Sequence, residues 1–486
     1  MLIGGAGMAG VAAARALRDG GAHVTLVSAR SSAGSDELAA EGVPVVIADP
    51  APVELLDDVD ELVVSPGFTP RNPLVTAALD RGMEVYSEPE LAWRLRGPGA
   101  PAWLGITGTN GKTTATTMLA AILTAAGLSA AALGNIGEPL VFAASGVAGP
   151  GHRSGIAPRY EVLAVELSSF QLHWSRDLAP QAGALLNLAD DHLDWHGTFD
   201  AYAQAKEAIW RAATPERGGV AVGNLDDERV AKALSRVTGR TVGFTLGSPK
   251  AGELGVRDGW LWDEAFGGGR LIEAAAIRPP GAHNVSNALA AAALALSYGV
   301  APAAVRDGLA GYRPEGHRNA YVATVAGVDY VNDSKATNPH AAHASLTAYP
   351  RVVWVAGGQL KGVDVTELVA GVADRLAGAV LLGVDRAHVA QALARHAPRV
   401  PVVDVASVDD GAMGEAVRAA TRLARPGDTV LLAPAAASLD MYASYARRGD
   451  AFAAAVRELA EPDGELAQPD GEPARDGHVN RDGGGV

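Results

Sequence analysis

Brief apolar runs rich in Val, Ile, Leu and Ala recur along the chain, separated by longer stretches with helical spacing. The brief runs, bounded by Gly, Pro, Asn or Asp, read as strands and the longer stretches as helices. Strands are expected at His23 to Val27, Leu62 to Val64, Pro101 to Ile106, Val162 to Val165 and Gly183 to Leu188. Further along they fall at Tyr321 to Val325, Asp329 to Asn332, Val352 to Ala356, Ala379 to Val384, Val400 to Val403 and Thr429 to Ala433. Helices are expected over Val11 to Arg18, over Ala115 to Ala126 with Gly127 as the stop, and over Phe199 to Arg211. This alternation predicts α/β folds with parallel sheets. It divides into a Rossmann-like N-terminal domain (1–97), a central P-loop-type α/β domain (98–312) and a C-terminal Rossmann-like α/β domain (313–460). Residues 461–486, rich in Pro, Gly and acids, read as a disordered solvating tail. Asn284 to Val305 carries no charge, but Gly299 and Pro302 break it and its apolarity is mostly alanine. It reads as a buried helix rather than a membrane span.

The chemistry centres on Gly105-Ile106-Thr107-Gly108-Thr109-Asn110-Gly111-Lys112-Thr113-Thr114, between a strand and a helix. A glycine loop there presents bare N–H groups at a helix N-terminus, which suits polyphosphate. Lys112 is placed to neutralise outer phosphates, and the Thr113 hydroxyl to ligate magnesium. The strict spacing of a phosphate loop is not met, because Ile106 follows the glycine at 105. The loop is a variant, with an ordinary Gly-rich turn as the alternative.

Gly5-Ala6-Gly7-Met8-Ala9-Gly10 completes a G-x-G-x-x-G ahead of a helix pattern, the opening of a dinucleotide-type βαβ unit or a structural tight turn. Ser28-Ala29-Arg30 stands where a ribose-holding acid would follow the second strand, which weakens a nicotinamide reading. The first strand is cut almost to nothing, as expected of a start codon placed late. Ser65-Pro66-Gly67 makes a second turn at a strand end.

Polar residues collect at later strand ends. Asn135 sits in a Gly-Asn-Ile-Gly turn, Glu166 closes a buried strand, and Asp190-Asp191-His192-Leu193-Asp194 follows the next, with Lys206 downstream. Taken singly, each is an ordinary cap, loop or surface residue. Together, behind a phosphate loop, they read as a metal–nucleotide site. Asn284 and Asn287 share a helical face and either read an adenine edge or cap the helix. The C-terminal third adds His317-Arg318, the segment Asn332 to Asn338, Lys361 and Ser438-Leu439-Asp440, again at strand ends.

Composition narrows the function. The 486 residues carry a net charge of −15, so no basic footprint argues for nucleic acid or an anionic membrane. With no cysteine, disulfides, thiolate catalysis and cysteine–zinc sites are excluded. The N-terminus lacks the charged start and apolar core of a signal peptide, and a cytoplasmic location is expected.

These motifs, in this order, resemble the Mur ligase family of ATP-dependent amide-forming enzymes. The Gly108–Thr114 loop, the Asp-Asp-His-Leu-Asp cluster with Lys206, the His283-Asn284 and Asn287 helix start, His317-Arg318 and the Asn332–Asn338 segment carry the resemblance. Glu166-Leu167-Ser168-Ser169-Phe170-Gln171 and Pro434 to Asp440 are most similar to the branch that adds D-glutamate to UDP-N-acetylmuramoyl-L-alanine in peptidoglycan synthesis. The resemblance implies ATP and two magnesium ions, the first held by Thr113 and Glu166 and the second near His192. It implies carbamylation of Lys206, catalytic roles for Lys112 and Lys361, and nucleotide contacts from Gly108, Thr109, Asn110, Gly111, Thr114, Asn284, Asn287, Arg318 and Asp333. Gly7, Met8, Ala9, Arg30, Ser65 and Asn135 would meet the UDP substrate; Thr337, Lys361, Ser438, Leu439 and Tyr445 would meet D-glutamate. A monomer is expected, with domains that close on ligands. The chain departs from the family at Ser28-Ala29, at Gly358-Gln359-Leu360 before Lys361, and in the tyrosine at 445.

Three alternatives remain at this point. Another Mur-type or a folylpolyglutamate-type ligase would share the phosphate loop and the His192–Lys206 cluster. A non-catalytic nucleotide-binding regulator would lack a metal acid or acceptor site. A dehydrogenase would rest on the N-terminal glycine loop alone.

Overall fold

The computed structural model describes residues 1–145, 160–314, 316–407, 409 and 411–460. The expected tail at 461–486 lies outside the described residues. Among the described residues three sheets follow one another along the chain.

The first sheet contains β1 (Leu2–Gly4), β2 (Thr25–Ser28), β3 (Val45–Ile47), β4 (Glu61–Val64) and β5 (Glu84–Ser87). Its order is β3-β2-β1-β4-β5, all parallel. The short β1 is the central strand, and the chain reverses direction across the sheet between β1 and β4. The loops after these two strands therefore meet at the switch point, where such sheets bind ligands. Gly10 makes the close approach possible: a Cβ there would stand 2.0 Å from the carbonyl oxygen of Gly5.

Among the described residues the central sheet has nine strands: β6 (Ala102–Thr107), β7 (Ala130–Gly134), β8 (Val162–Glu166), β9 (Ala182–Leu185), β10 (Val220–Asn224), β11 (Arg240–Phe244), β12 (Glu253–Arg257), β13 (Trp260–Asp263) and β14 (Gly269–Glu273). The order β7-β8-β6-β9-β10-β11-β12 is parallel, and β13 and β14 extend it as antiparallel strands. The uncharged run folds as two helices, Ala282–Ser297 and Pro302–Gly311, split at Gly299. The first packs its alanines and leucines against the sheet, so its apolarity faces protein. Among the described residues no helix is long and apolar enough to cross a membrane.

The third sheet contains β15 (Ala320–Val325), β16 (Val328–Asn332), β17 (Val352–Gly357), β18 (Leu376–Leu382), β19 (Val402–Asp404) and β20 (Thr429–Leu432), in the order β15-β16-β20-β17-β18-β19. Only the β15–β16 hairpin is antiparallel; Ala326 and Gly327 turn it with φ of 51° and 78°, as a tight hairpin requires.

Packing joins the first two sheets closely. One hydrophobic cluster runs from Ile3, Leu17 and Leu91 to Trp103, Leu140 and Leu163, and another joins Val64 and Leu74 to Trp174 and Trp195. Glu90, with no exposed surface, accepts the backbone N–H groups of Arg176 (3.1 Å), Asp177 (3.0 Å) and Leu178 (3.0 Å). The third sheet has clusters of its own, drawn from residues 322–459. Its described contacts with the phosphate loop are polar: Asn110 Nδ2 to His340 Nδ1 at 3.0 Å and Asn338 Nδ2 to Asn110 Oδ1 at 3.4 Å.

Candidate active site

β6 ends at Thr107, between β8 and β9, so its loop emerges flanked by both neighbouring strand ends. The helix begins at Lys112 rather than Ala115, with Gly111 as its N-cap at φ 83°. This left-handed geometry suits glycine. A Cβ on Gly111 would also fall 2.3 Å from Asn287 Oδ1. The loop is braced from β9's continuation: Asn187 Oδ1 accepts the N–H of Asn110 at 2.8 Å, and Asn187 O that of Thr109 at 3.0 Å. Lys112 curls back, its Nζ donating to Gly108 O and Thr109 O, each at 2.9 Å.

Glu166 is buried where β8 ends, and accepts from the Thr113 hydroxyl at 2.7 Å and from Asn135 Nδ2 at 3.0 Å. These are hard oxygen donors at the first helical turn. Among the described residues no group of three His, Cys, Asp or Glu converges as a cation cage. Magnesium needs none, since it is usually held by one or two carboxylates with phosphates and water. The Thr113–Glu166 pair fits that ion.

His192 is held in the left-handed region at φ 53°, its Nε2 3.4 Å from Asp191 Oδ2. Burial pushes its imidazole below the ordinary value; Asp191 opposes this, and Lys112 and Lys206 add to it. A neutral imidazole is the form that ligates metals. Lys206, 2% exposed, donates to Gly108 O at 2.8 Å, and its ammonium lies 4.8 Å from the Tyr202 ring centroid. Burial, with the nearby charge of Lys112, holds it well below the usual lysine range.

A cleft of about 1670 Å³ gathers most of the expected residues. Thr109, Asn110, Gly111, Lys112, Thr113, Thr114, Asn135, Glu166, His192, Asn284 and Asn287 line it from the central domain. Arg318, Asp333, Thr337 and Lys361 line it from the third. Gly108 and Lys206 do not line it; the lysine is joined to the loop by its hydrogen bond to Gly108 O. Asp333, whose carboxylate accepts Asn319 N at 3.2 Å, is pushed up to about 6 by burial.

One expectation needs correction. Neither asparagine caps the Ala282–Ser297 helix, whose N-cap is Gly281. Asn284 Nδ2 instead donates to Pro280 O at 3.3 Å, and Asn287 Nδ2 to Asn284 Oδ1 at 3.2 Å, pairing the two amides on one buried face. Ser438, Leu439 and Tyr445 do not line the cleft, although Ala437 does. Leu439 is 65% exposed, and Tyr445 is tied to the cleft through Lys335, whose Nζ lies 3.9 Å from its ring centroid.

A smaller cavity of about 240 Å³ lies between the first and central domains. Met8, Ala9 and Pro66 line one side; Asn135, Phe170 and Trp174 line the other. Gly7, Arg30 and Ser65 are not in its lining: Gly7 is the N-cap of the helix Met8–Asp19, Arg30 is exposed, and Ser65 follows β4. Asn135 lines both cavities.

Three supporting residues escaped the sequence reading. Tyr202 shares a hydrogen bond of 2.8 Å with the Thr109 hydroxyl; its place one helical turn before Lys206 was the available signal. Asn187 braces the loop as described. Arg448, 1% exposed, donates to Ser334 O (2.9 Å), Ser334 Oγ (3.0 Å) and Ala436 O (3.1 Å), fastening together two loops of the third domain. Nothing in a charged Arg447-Arg448 pair marks the second as buried.

The "Mur ligase MurD-like, N-terminal domain" family matches residues 1–87, the "Mur ligase middle domain" residues 106–295, and the "Mur ligase, glutamate ligase domain" residues 317–436. Curated proteins named UDP-N-acetylmuramoylalanine–D-glutamate ligase are similar over nearly the whole chain. The Streptomyces avermitilis protein is 51% identical, covering 94% of this chain and 97% of its own. The Streptomyces coelicolor protein is 52% identical, covering 94% and 97%. The Thermobifida fusca protein is 51% identical, covering 94% and 98%. Among solved structures, the UDP-N-acetylmuramate-alanine ligase of Thermotoga maritima shares the fold with a TM-score of 0.55 at 17% identity, covering 94% of this chain and 99% of that one. With family matches spanning all three sheets and relatives near half identity, the chain belongs to the Mur ligase family.

Proposed function

We propose that this protein joins D-glutamate to UDP-N-acetylmuramoyl-L-alanine with ATP, a step of peptidoglycan synthesis. The observation that carries this reading is the single cleft with Lys112, Glu166 and His192 on one wall and Arg318, Asp333 and Lys361 on the other. Relatives of that name at about half identity support the choice of substrates. In this division, residues 1–97 take the UDP end, 98–312 the nucleotide and 313–460 the amino acid.

A carboxylate is a poor electrophile. Attack of the alanyl carboxylate on the γ-phosphorus breaks the bond to ADP and leaves an acyl phosphate. The D-glutamate amine then adds to the carbonyl, and phosphate departs as the amide forms. Two anions must first be brought together, and Lys112 with the helix N-terminus supplies positive charge at the phosphates. Magnesium, held by Thr113 and Glu166 and in a second place by His192 and a carbamylated Lys206, would screen the negative charge. The depressed affinity of Lys206 for protons favours the free amine, the form that takes up carbon dioxide. Asn284 and Asn287 would flank adenine, with Arg318 and Asp333 closing over the nucleotide. Lys361 would pair with a glutamate carboxylate beside Thr337, with Ser438, Leu439 and Tyr445 completing the pocket. Gly7, Met8, Ala9, Arg30, Ser65 and Asn135 would hold the UDP substrate. The separate hydrophobic core of the third domain suits a hinged closure.

The test is phosphate release with UDP-muramoyl-alanine across a panel of amino acids. D-Glutamate should give the dominant rate, and Lys361→Ala should raise its KM while leaving that for ATP nearly unchanged. Release driven equally by other amino acids would reject this acceptor. Full turnover in Lys112→Ala or Glu166→Ala would reject the site.

A further inference from the structure

The segment carrying His192 is fastened to the first domain. Trp195, 7% exposed, donates its indole N–H to Pro66 O at 3.2 Å, and the Arg71 guanidinium donates to Asp194 O. Pro66 belongs to the turn after β4 and lines the smaller cavity. On its other side the Trp195 ring packs against Phe170, with centroids 4.9 Å apart, and Phe170 packs against the His192 imidazole at 4.6 Å. Phe170 also lines the smaller cavity. The backbone completes the linkage: the N–H groups of Trp195 and His196 both donate to His192 O, at 3.1 and 3.0 Å. Cavity wall, indole and imidazole thus form one packed series, and His192 at its end sits in a left-handed conformation that its neighbours must hold.

We propose that Trp195 is a positioning residue that transmits the seating of the UDP-linked substrate in the smaller cavity to the imidazole of His192. This rests on the reading of that cavity as the substrate's seat and of His192 as part of the reaction centre. A tryptophan serving only as filler between domains would affect stability and substrate affinity. One that orients His192 affects turnover, because supporting contacts around a metal-binding imidazole are typically worth about 10- to 100-fold in activity.

The test uses Trp195→Phe, which keeps a ring against Phe170 and removes the indole donor, and Arg71→Ala at an exposed position. Trp195→Phe should lower kcat by about tenfold or more with the KM for UDP-muramoyl-alanine within about twofold, and Arg71→Ala should lower kcat less. A second readout needs neither nucleotide nor metal. In a Trp174→Phe background, UDP-muramoyl-alanine alone should shift tryptophan emission, and the added Trp195→Phe change should abolish that shift. Unchanged kcat in both single variants, or an emission response indifferent to Trp195 while calorimetry shows binding, overturns the proposal. Failure of the wild-type protein to bind UDP-muramoyl-alanine by calorimetry overturns the functional reading itself, and this inference with it.

Discussion

The side-chain nitrogens of Lys206 and Lys112 converge on one oxygen, the carbonyl of Gly108, at 2.8 and 2.9 Å. Burial lowers the proton affinity of both lysines, and the charge of Lys112 lowers that of Lys206 further. The unfolded chain keeps Lys206 protonated up to the ordinary lysine value of 10.5, while the folded chain releases that proton earlier. The unfolded state then binds more protons, so this lysine's penalty on folding is full at low pH and fades as pH rises toward that value. In carbonate-free buffer, Lys206→Met should therefore be more stable than wild type at neutral pH, by a margin that narrows as pH rises. A margin independent of pH, measured by thermal denaturation, contradicts this. In activity, Lys206→Ala should lose turnover and partly regain it with added short carboxylic acids.

Asp333 carries the opposite sign. Its carboxyl, raised by burial from 3.8 to about 6, is disfavoured as an anion in the folded state. The penalty is present above about pH 6 and disappears as pH falls through 6 toward 4. Asp333→Asn keeps an acceptor for Asn319 N–H and should be more stable than wild type at pH 7, by up to about 3 kcal/mol. The gain should vanish near pH 4, while the KM for ATP rises at neutral pH. Denaturant midpoints at the two pH values decide it.

Gly111→Ala meets two obstacles, a φ of 83° and Asn287 Oδ1 at 2.3 Å. The backbone strain alone costs about 1–3 kcal/mol, enough to raise the KM for ATP by about tenfold. Removing the amide in Gly111→Ala/Asn287→Ala relieves the collision but not the strain. The double variant should fall short of the summed losses, and strict additivity would remove the clash from the explanation.

Glu90→Ala leaves the N–H groups of Arg176, Asp177 and Leu178 without their carboxylate. At about 1–3 kcal/mol for an unsatisfied buried group, a loss of at least about 3 kcal/mol is expected in urea denaturation. A loss below about 1 kcal/mol would mean that water takes the carboxylate's place.

The elements that position the phosphate loop were legible because their signals are local. β6, β8 and β9 are apolar runs with Gly108, Glu166 and Asn187 at or just beyond their ends, and glycine marks both ends of the loop. The apolar period places the helix start late, at Ala115, because Lys112, Thr113 and Thr114 carry no such period although they form its first turn. β10 to β14 went unassigned, since short strands broken by Gly223, Gly243 and Gly255 show little alternation. Long-range roles were the hardest to see. Glu90 looks like an ordinary acid in a first helical turn, and the three N–H groups it serves lie in another domain. The three-residue spacing of Asn284 and Asn287 places them on one face, but their mutual hydrogen bond depends on Gly281 having taken the cap.

Asn135 stands where the two cavities adjoin, lining each while its amide grips Glu166. An elongated molecule anchored by its head in the smaller chamber must pass this side chain to bring its far end to the phosphate loop. The hydrophobic clusters and the Glu90 hydrogen bonds that join the first and central domains set that span in this structure, so it works as a ruler. Compounds whose linker is a few atoms too long or too short would dock without reacting, and length-mismatched mimics would make selective plugs.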